Sequence, residues 1–160
     1  MDRQEILYTK GPQETEDVGA ELAKRMQEDA SLPPFVALYG DLGVGKTAFV
    51  RGFASVFSPA AAVRSPTFAL VHEYRGGGKQ LFHFDMYRID SEDDLLSIGF
   101  YDYWDRNGIC LVEWSEKIPY ALPEAYIRVL IEKNDPSCPE SRKITLQEIR
   151  EECAHENFSS

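Results

Sequence analysis

The chain has 160 residues, with 17 Lys and Arg against 27 Asp and Glu, a formal net charge of −10. That length suits one domain, and 43% hydrophobic and 28% charged residues are ordinary for a globular fold. The acidic balance argues against this chain alone gripping a phosphate backbone, which rests on clustered Lys and Arg. Cys110, Cys138 and Cys153 lack CxxC spacing and read as reduced thiols of a cytosolic protein. The start, Met1-Asp2-Arg3-Gln4-Glu5, is polar, and no apolar run approaches the ~18 residues of a membrane span. Secreted, membrane and zinc-ribbon classes are set aside.

In chain order, Glu5 to Thr9 reads as a short first strand. Pro12 suits the opening turn of a helix, where its missing N–H costs nothing. Val18, Leu22 and Met26 then recur every fourth residue, as on one buried helix face. Ser31-Leu32-Pro33-Pro34 breaks that helix, and Phe35 to Tyr39 is a continuous apolar run, typical of a strand buried on both faces. A glycine-rich turn leads to a helix from Lys46 to about Phe57. Thr67 to Tyr74 and Gln80 to Asp85 read as strands joined by Arg75-Gly76-Gly77-Gly78-Lys79, a turn of hairpin length, so this pair is expected to be antiparallel. Ser91-Glu92-Asp93-Asp94 resembles a helix N-cap box, with Gly99 and Gly108 punctuating the helical stretch behind it. Ile109 to Val112 is another buried-strand run. Ala125 to Glu132 and Lys143 to Ile149 complete the strands around an Asn134-Asp135-Pro136 turn.

The expected architecture is a single α/β domain over residues 1–160, P-loop NTPase-like. Its sheet is mixed and mostly parallel, flanked by helices, with an antiparallel hairpin after the P-loop helix. Residues from about 151 to 160 are expected to fray.

Gly40-Asp41-Leu42-Gly43-Val44-Gly45-Lys46-Thr47 matches G-x-x-x-x-G-K-[ST] in full, between a buried strand and a helix. The glycines let successive N–H groups turn inward and cradle phosphate oxygens. The helix behind them aims its positive end at the same anion. Lys46 is expected to reach the β- and γ-phosphates, and the Thr47 hydroxyl to ligate Mg²⁺. The bland alternative is a glycine turn with a surface lysine.

A P-loop also needs an acid to hold the metal or orient water. Ile109-Cys110-Leu111-Val112-Glu113 is an apolar strand ending in a carboxylate, and Leu81-Phe82-His83-Phe84-Asp85 ends similarly. Glu113 is the better Mg²⁺ candidate and Asp85 the better water-orienting one, although a strand-end acid also commonly just faces water. Ser65-Pro66-Thr67 is either a switch-like hydroxyl element near the γ-phosphate or a plain turn into a strand. Spacing leaves His83 open between proton transfer and simple packing, and Trp114 open between packing and an aromatic wall. His72 and His155 have no neighbours completing a metal site, and Cys153 with His155 in a polar tail argues against zinc.

Gly40 to Thr47, Ser65-Pro66-Thr67-Phe68, His83-Phe84-Asp85-Met86-Tyr87-Arg88 and Leu111-Val112-Glu113-Trp114, in this order and spacing, resemble the bacterial TsaE (YjeE) family. The resemblance runs from about Thr15 to Arg142. It implies a small cytoplasmic P-loop ATPase, slow alone and stimulated by partners, that binds the TsaD–TsaB pair. That pair forms threonylcarbamoyladenosine in tRNAs reading codons that start with A, and ATP hydrolysis resets it between rounds. On this resemblance Gly40, Asp41, Gly43, Val44, Gly45, Lys46, Thr47, Ala48 and Arg142 bind ATP, and Thr47 and Glu113 hold Mg²⁺. Lys46, Asp85 and Glu113 serve hydrolysis, and the segment near Pro12 lies by the adenine. The partners touch tRNA directly and this chain only through them. Three positions depart from the family pattern: Val44, whose side chain is expected to point outward, Ala48, which brings no second hydroxyl, and Met86, a volume-conserving change from leucine.

Other classes fit less well. A small P-loop kinase usually brings an arginine-rich lid, whereas Arg64, Arg75, Arg88 and Arg106 are scattered. A regulatory GTPase would need [NT]-K-x-D, which does not occur. A nucleotide-ordered scaffold would bind ATP tightly without turnover.

Overall fold

The computed structural model describes residues 4–40, 44–58, 71–75 and 79–150. Among them one seven-stranded sheet runs β1 (Gln4–Thr9), β7 (Arg142–Arg150), β6 (Ala125–Lys133), β2 (Phe35–Tyr39), β5 (Gly108–Glu113), β4 (Gln80–Asp85), β3 (Val71–Tyr74). The central pairings β6–β2, β2–β5 and β5–β4 are parallel. The outer pairings β1–β7, β7–β6 and β4–β3 are antiparallel. The hairpin after the P-loop helix therefore has the expected sense, and a second antiparallel block closes the opposite edge. Of the strand expected from Thr67, residues 67–70 lie outside the described residues, as do Ser65-Pro66-Thr67 and the tail from 151.

The apolar runs sort onto two faces because side chains alternate along a strand. Val36 and Leu38 of β2, and Ile109 and Leu111 of β5, pack with α1 (Pro12–Glu28) and α2 (Lys46–Phe57). Phe35 and Ala37, with Cys110 and Val112, join a second cluster containing Phe84, Leu95 and Phe100. Leu95 belongs to the short α3 (Glu92–Ser97), and Phe100 opens a 3₁₀ turn over Phe100–Asp105. Both faces of the central strands are covered, which is why they carry no alternation of polar residues. Among the described residues no helix is long and apolar enough to cross a membrane.

The predicted face of α1 is present: Leu22 and Met26 are buried, with Val18 packed at the margin. Periodicity did not reveal how closely α1 meets α2. A Cβ at Gly19 would collide with the Phe49 carbonyl, and one at Gly52 with the Glu16 carbonyl. Two small residues let the backbones touch, so the helix that opens at Lys46 is seated firmly against its neighbour. At α3 the Ser91 hydroxyl accepts the Asp94 N–H at 3.3 Å, while Asp94 Oδ2 accepts from Asp90, one residue before the cap.

Candidate functional site

The C-terminal ends of the parallel strands converge on one place. β2 ends at Tyr39, and α2 begins at Lys46 behind the N-cap Gly45. Gly45 has φ +99°, a backbone state that side chains rarely tolerate, so glycine is required to turn the chain into the helix. The first N–H groups of any helix lack intrahelical partners, and the N-cap Gly45 brings no side chain to occupy those of α2. A helix start of this kind suits an anion.

Lys46 does not stand free in solvent. It is only 6% exposed, its Nζ donates to the Gly40 carbonyl at 2.5 Å, and the ammonium lies 3.7 Å from the centroid of the Trp114 ring. Trp114 itself turns the chain with φ +58°, the one non-glycine residue with positive φ among the described residues. Tyr87 lies against the same indole at 5.0 Å. Strain of this kind in a bulky residue is held only by strong surroundings and gathers at functional sites.

Asp85 and Glu113 end adjacent parallel strands and stand opposite each other in register. Parity along β4 and β5 puts both on the face that carries Leu81, Ile109 and Leu111, the face of α2. Asp85 is half-buried, and its Oδ1 accepts the Tyr87 N–H at 2.9 Å. Glu113 is 8% exposed, and its Oε2 lies 2.5 Å from Nε2 of His83, a residue 1% exposed. His83 thus turns out to contact the candidate acid directly.

Arg142, at the start of β7, donates from Nε to the Val44 carbonyl at 2.6 Å and from a terminal nitrogen to the Pro139 and Ser141 carbonyls. It braces the loop backbone. Val44 does not use its freedom to point outward: its apolar side chain joins the core cluster at 4% exposure, where burial removes its methyl groups from water. Thr47 is exposed on the first turn of α2, and Ala48 is buried. Asp41 and Gly43 lie outside the described residues.

Two features escaped sequence reasoning. The Gly40 N–H donates to Glu116 Oε2 at 3.2 Å, tying the turn after β5 to the first glycine of the loop. The hydroxyls of Thr9 and Thr15 meet at 2.8 Å, both buried, with Thr15 beside Gly45. The first joins segments 76 positions apart, and the second spans the six positions from the end of β1 into α1, a spacing that matches no turn or cap motif.

Thr47, Asp85 and Glu113 supply hard oxygen donors, the kind magnesium takes. Among the described residues no cluster of three or more His, Cys, Asp or Glu could hold a metal by itself. Magnesium in phosphate sites is usually held by one or two protein donors together with phosphate oxygens and several waters. A carboxylate as buried as Glu113 also favours a nearby cation.

A family model described as "Threonylcarbamoyl adenosine biosynthesis protein TsaE" matches residues 9–144. The chain belongs to the TsaE family. Among its relatives, the tRNA threonylcarbamoyladenosine biosynthesis protein TsaE of Haemophilus influenzae is 41% identical over 116 residues, covering 72% of each chain. The Bacillus subtilis protein of the same name is 37% identical over 125 residues, covering 78% of this chain and 75% of its own. The crystal structure of Bacillus subtilis YdiB superposes with a TM-score of 0.72 at 29% identity, over 99% of this chain and 96% of that one. The TsaE match spans every site residue described above, from Thr9 to Arg142.

Proposed function

We propose that the chain is a single-domain, Mg²⁺-dependent ATPase that binds the TsaD–TsaB pair and supports threonylcarbamoyladenosine formation in tRNAs reading codons that start with A. The observation that carries this reading is a desolvated ammonium, Lys46, at the mouth of the P-loop, with Asp85 and Glu113 side by side across the same face. The matched family and the names of its relatives support the pathway. Cytoplasmic work beside TsaD–TsaB follows from the same reading, with tRNA met only through that pair.

In this proposal the loop backbone from Gly40 to Ala48 and the start of α2 bind the phosphates, and Arg142 holds the loop in shape. Lys46 exchanges the Gly40 carbonyl and the Trp114 ring for phosphate oxygens. A cation–π contact contributes about 0.5–2 kcal/mol, and charge-assisted bonds to phosphate are stronger than a neutral pair, so the exchange is favourable. Magnesium, when bound with the nucleotide, neutralises charge on the phosphate oxygens. Thr47 and Glu113 hold it. Asp85 orients the water that attacks the terminal phosphorus, and ADP and phosphate leave. Turnover by the chain alone is expected to be slow.

Equilibrium binding and hydrolysis by Glu113→Ala test the site. The variant should still bind ATP but lose the dependence of binding and turnover on magnesium. Wild-type magnesium dependence in this variant would contradict the assignment.

A further inference from the structure

We propose that His83 is the positioning residue for Glu113, fixing one carboxylate oxygen so that the other is offered to the metal. This rests on the reading above, in which Glu113 holds magnesium. In register, His83 pairs with Leu111 and Asp85 with Glu113, so the 2.5 Å contact between His83 Nε2 and Glu113 Oε2 runs diagonally across β4 and β5. A free glutamate side chain samples several rotamers, and this bond restricts it to those that reach diagonally toward β4.

The other ring nitrogen, Nδ1, is buried and has no hydrogen-bond partner among the described residues. A donor there would be left unmet at considerable cost, whereas a bare acceptor costs less. The ring therefore carries its proton at Nε2, where Glu113 accepts it, and His83 acts by direction. The ring of His72, its register partner on β3, lies edge-on to it at 6.4 Å.

Holding the sheet together does not require this pair. β4 and β5 are already joined in register from Gln80–Gly108 to Asp85–Glu113. A buried polar pair is also weak evidence for stability, because well-packed apolar residues often do as well. Aligning a metal-holding carboxylate is a task that apolar residues cannot perform, and outer partners of ligands are worth about 10–100-fold in metal affinity.

The test compares His83→Phe, which keeps ring bulk and removes the donor, with His83→Gln, which restores an N–H at similar reach. Binding of a non-hydrolysable ATP analogue is measured with EDTA and with saturating magnesium. For the wild type, magnesium should tighten binding. H83F should bind as the wild type does in EDTA yet lose about 10-fold or more of the magnesium gain, and H83Q should recover most of it. A full magnesium gain in H83F overturns the proposal, as does an equal loss with and without metal that H83Q fails to restore. If H83F does not fold, His83→Asn, whose donor is too short for the same oxygen, takes its place: Gln must keep the gain and Asn lose it. A wild type with no magnesium gain overturns the metal role of Glu113 itself, an outcome separate from failure of His83 alone.

Discussion

Lys46 and Trp114 show how much of the site is decided by single side chains. The G-K-T run announces a lysine for phosphate but says nothing about where it rests beforehand. Here the ammonium is already out of bulk water, bonded to the Gly40 carbonyl and stacked on Trp114. Most of its desolvation has thus been met in folding, so truncation should remove a strong interaction with phosphate. Lys46→Ala is expected to weaken ATP binding about 10–100-fold, the range for bonds to charged groups, measured by titration calorimetry with the melting temperature as a control. An affinity unchanged within twofold would mean the phosphates lie elsewhere. Glu113 was legible as a strand-end acid, whereas its bond to His83 was not, because the two are 30 positions apart and only strand pairing joins them.

At the scale of elements, the strands and helices with a strong local period were readable: the buried runs of β2 and β5 and the four-residue recurrence of α1. What no period carries is how elements meet. Gly19 and Gly52 look unremarkable in the sequence, yet they set the closeness of α1 to α2 and hence the seat of the P-loop helix. Gly52→Ala should cost roughly 1–3 kcal/mol through overpacking against the Glu16 backbone, read as a lower denaturation midpoint in urea; a neutral result would show that the helices separate without penalty. β1 pairs with β7 along its length and is also tied to α1, where Arg25 bonds Glu5 at 2.9 and 3.4 Å. The Arg25 hydrogen bond holds the Glu5 carboxyl below its usual value. A lowered folded-state value contributes stability above the unfolded value, near 4.5, that disappears as pH falls through the folded one. Both side chains are about a third exposed, so screening limits the pair. Glu5→Gln should cost about 0.2–1 kcal/mol at neutral pH, and the gap to wild type should close in acid. A gap that widens in acid would contradict this sign.

The whole molecule combines an acidic net charge with the candidate phosphate site around Lys46. At −10 the chain is poorly suited to hold tRNA by itself. Mobility-shift titration of the isolated chain should therefore show no micromolar, salt-sensitive tRNA binding, and such binding would assign it a direct role. The α/β class and the P-loop were legible because an apolar strand, a glycine turn and a helix are neighbours in the chain. The strand order was not, since β1 pairs with β7 from the opposite terminus and the second antiparallel edge has no local mark. The most direct measurement is steady-state ATP hydrolysis by this chain, alone and with purified TsaD–TsaB and tRNA, beside Lys46→Ala. Slow turnover that rises with the partners and vanishes in the variant is the predicted result. Clear ATP binding without turnover under any of these conditions would contradict an ATPase and leave a nucleotide-ordered scaffold.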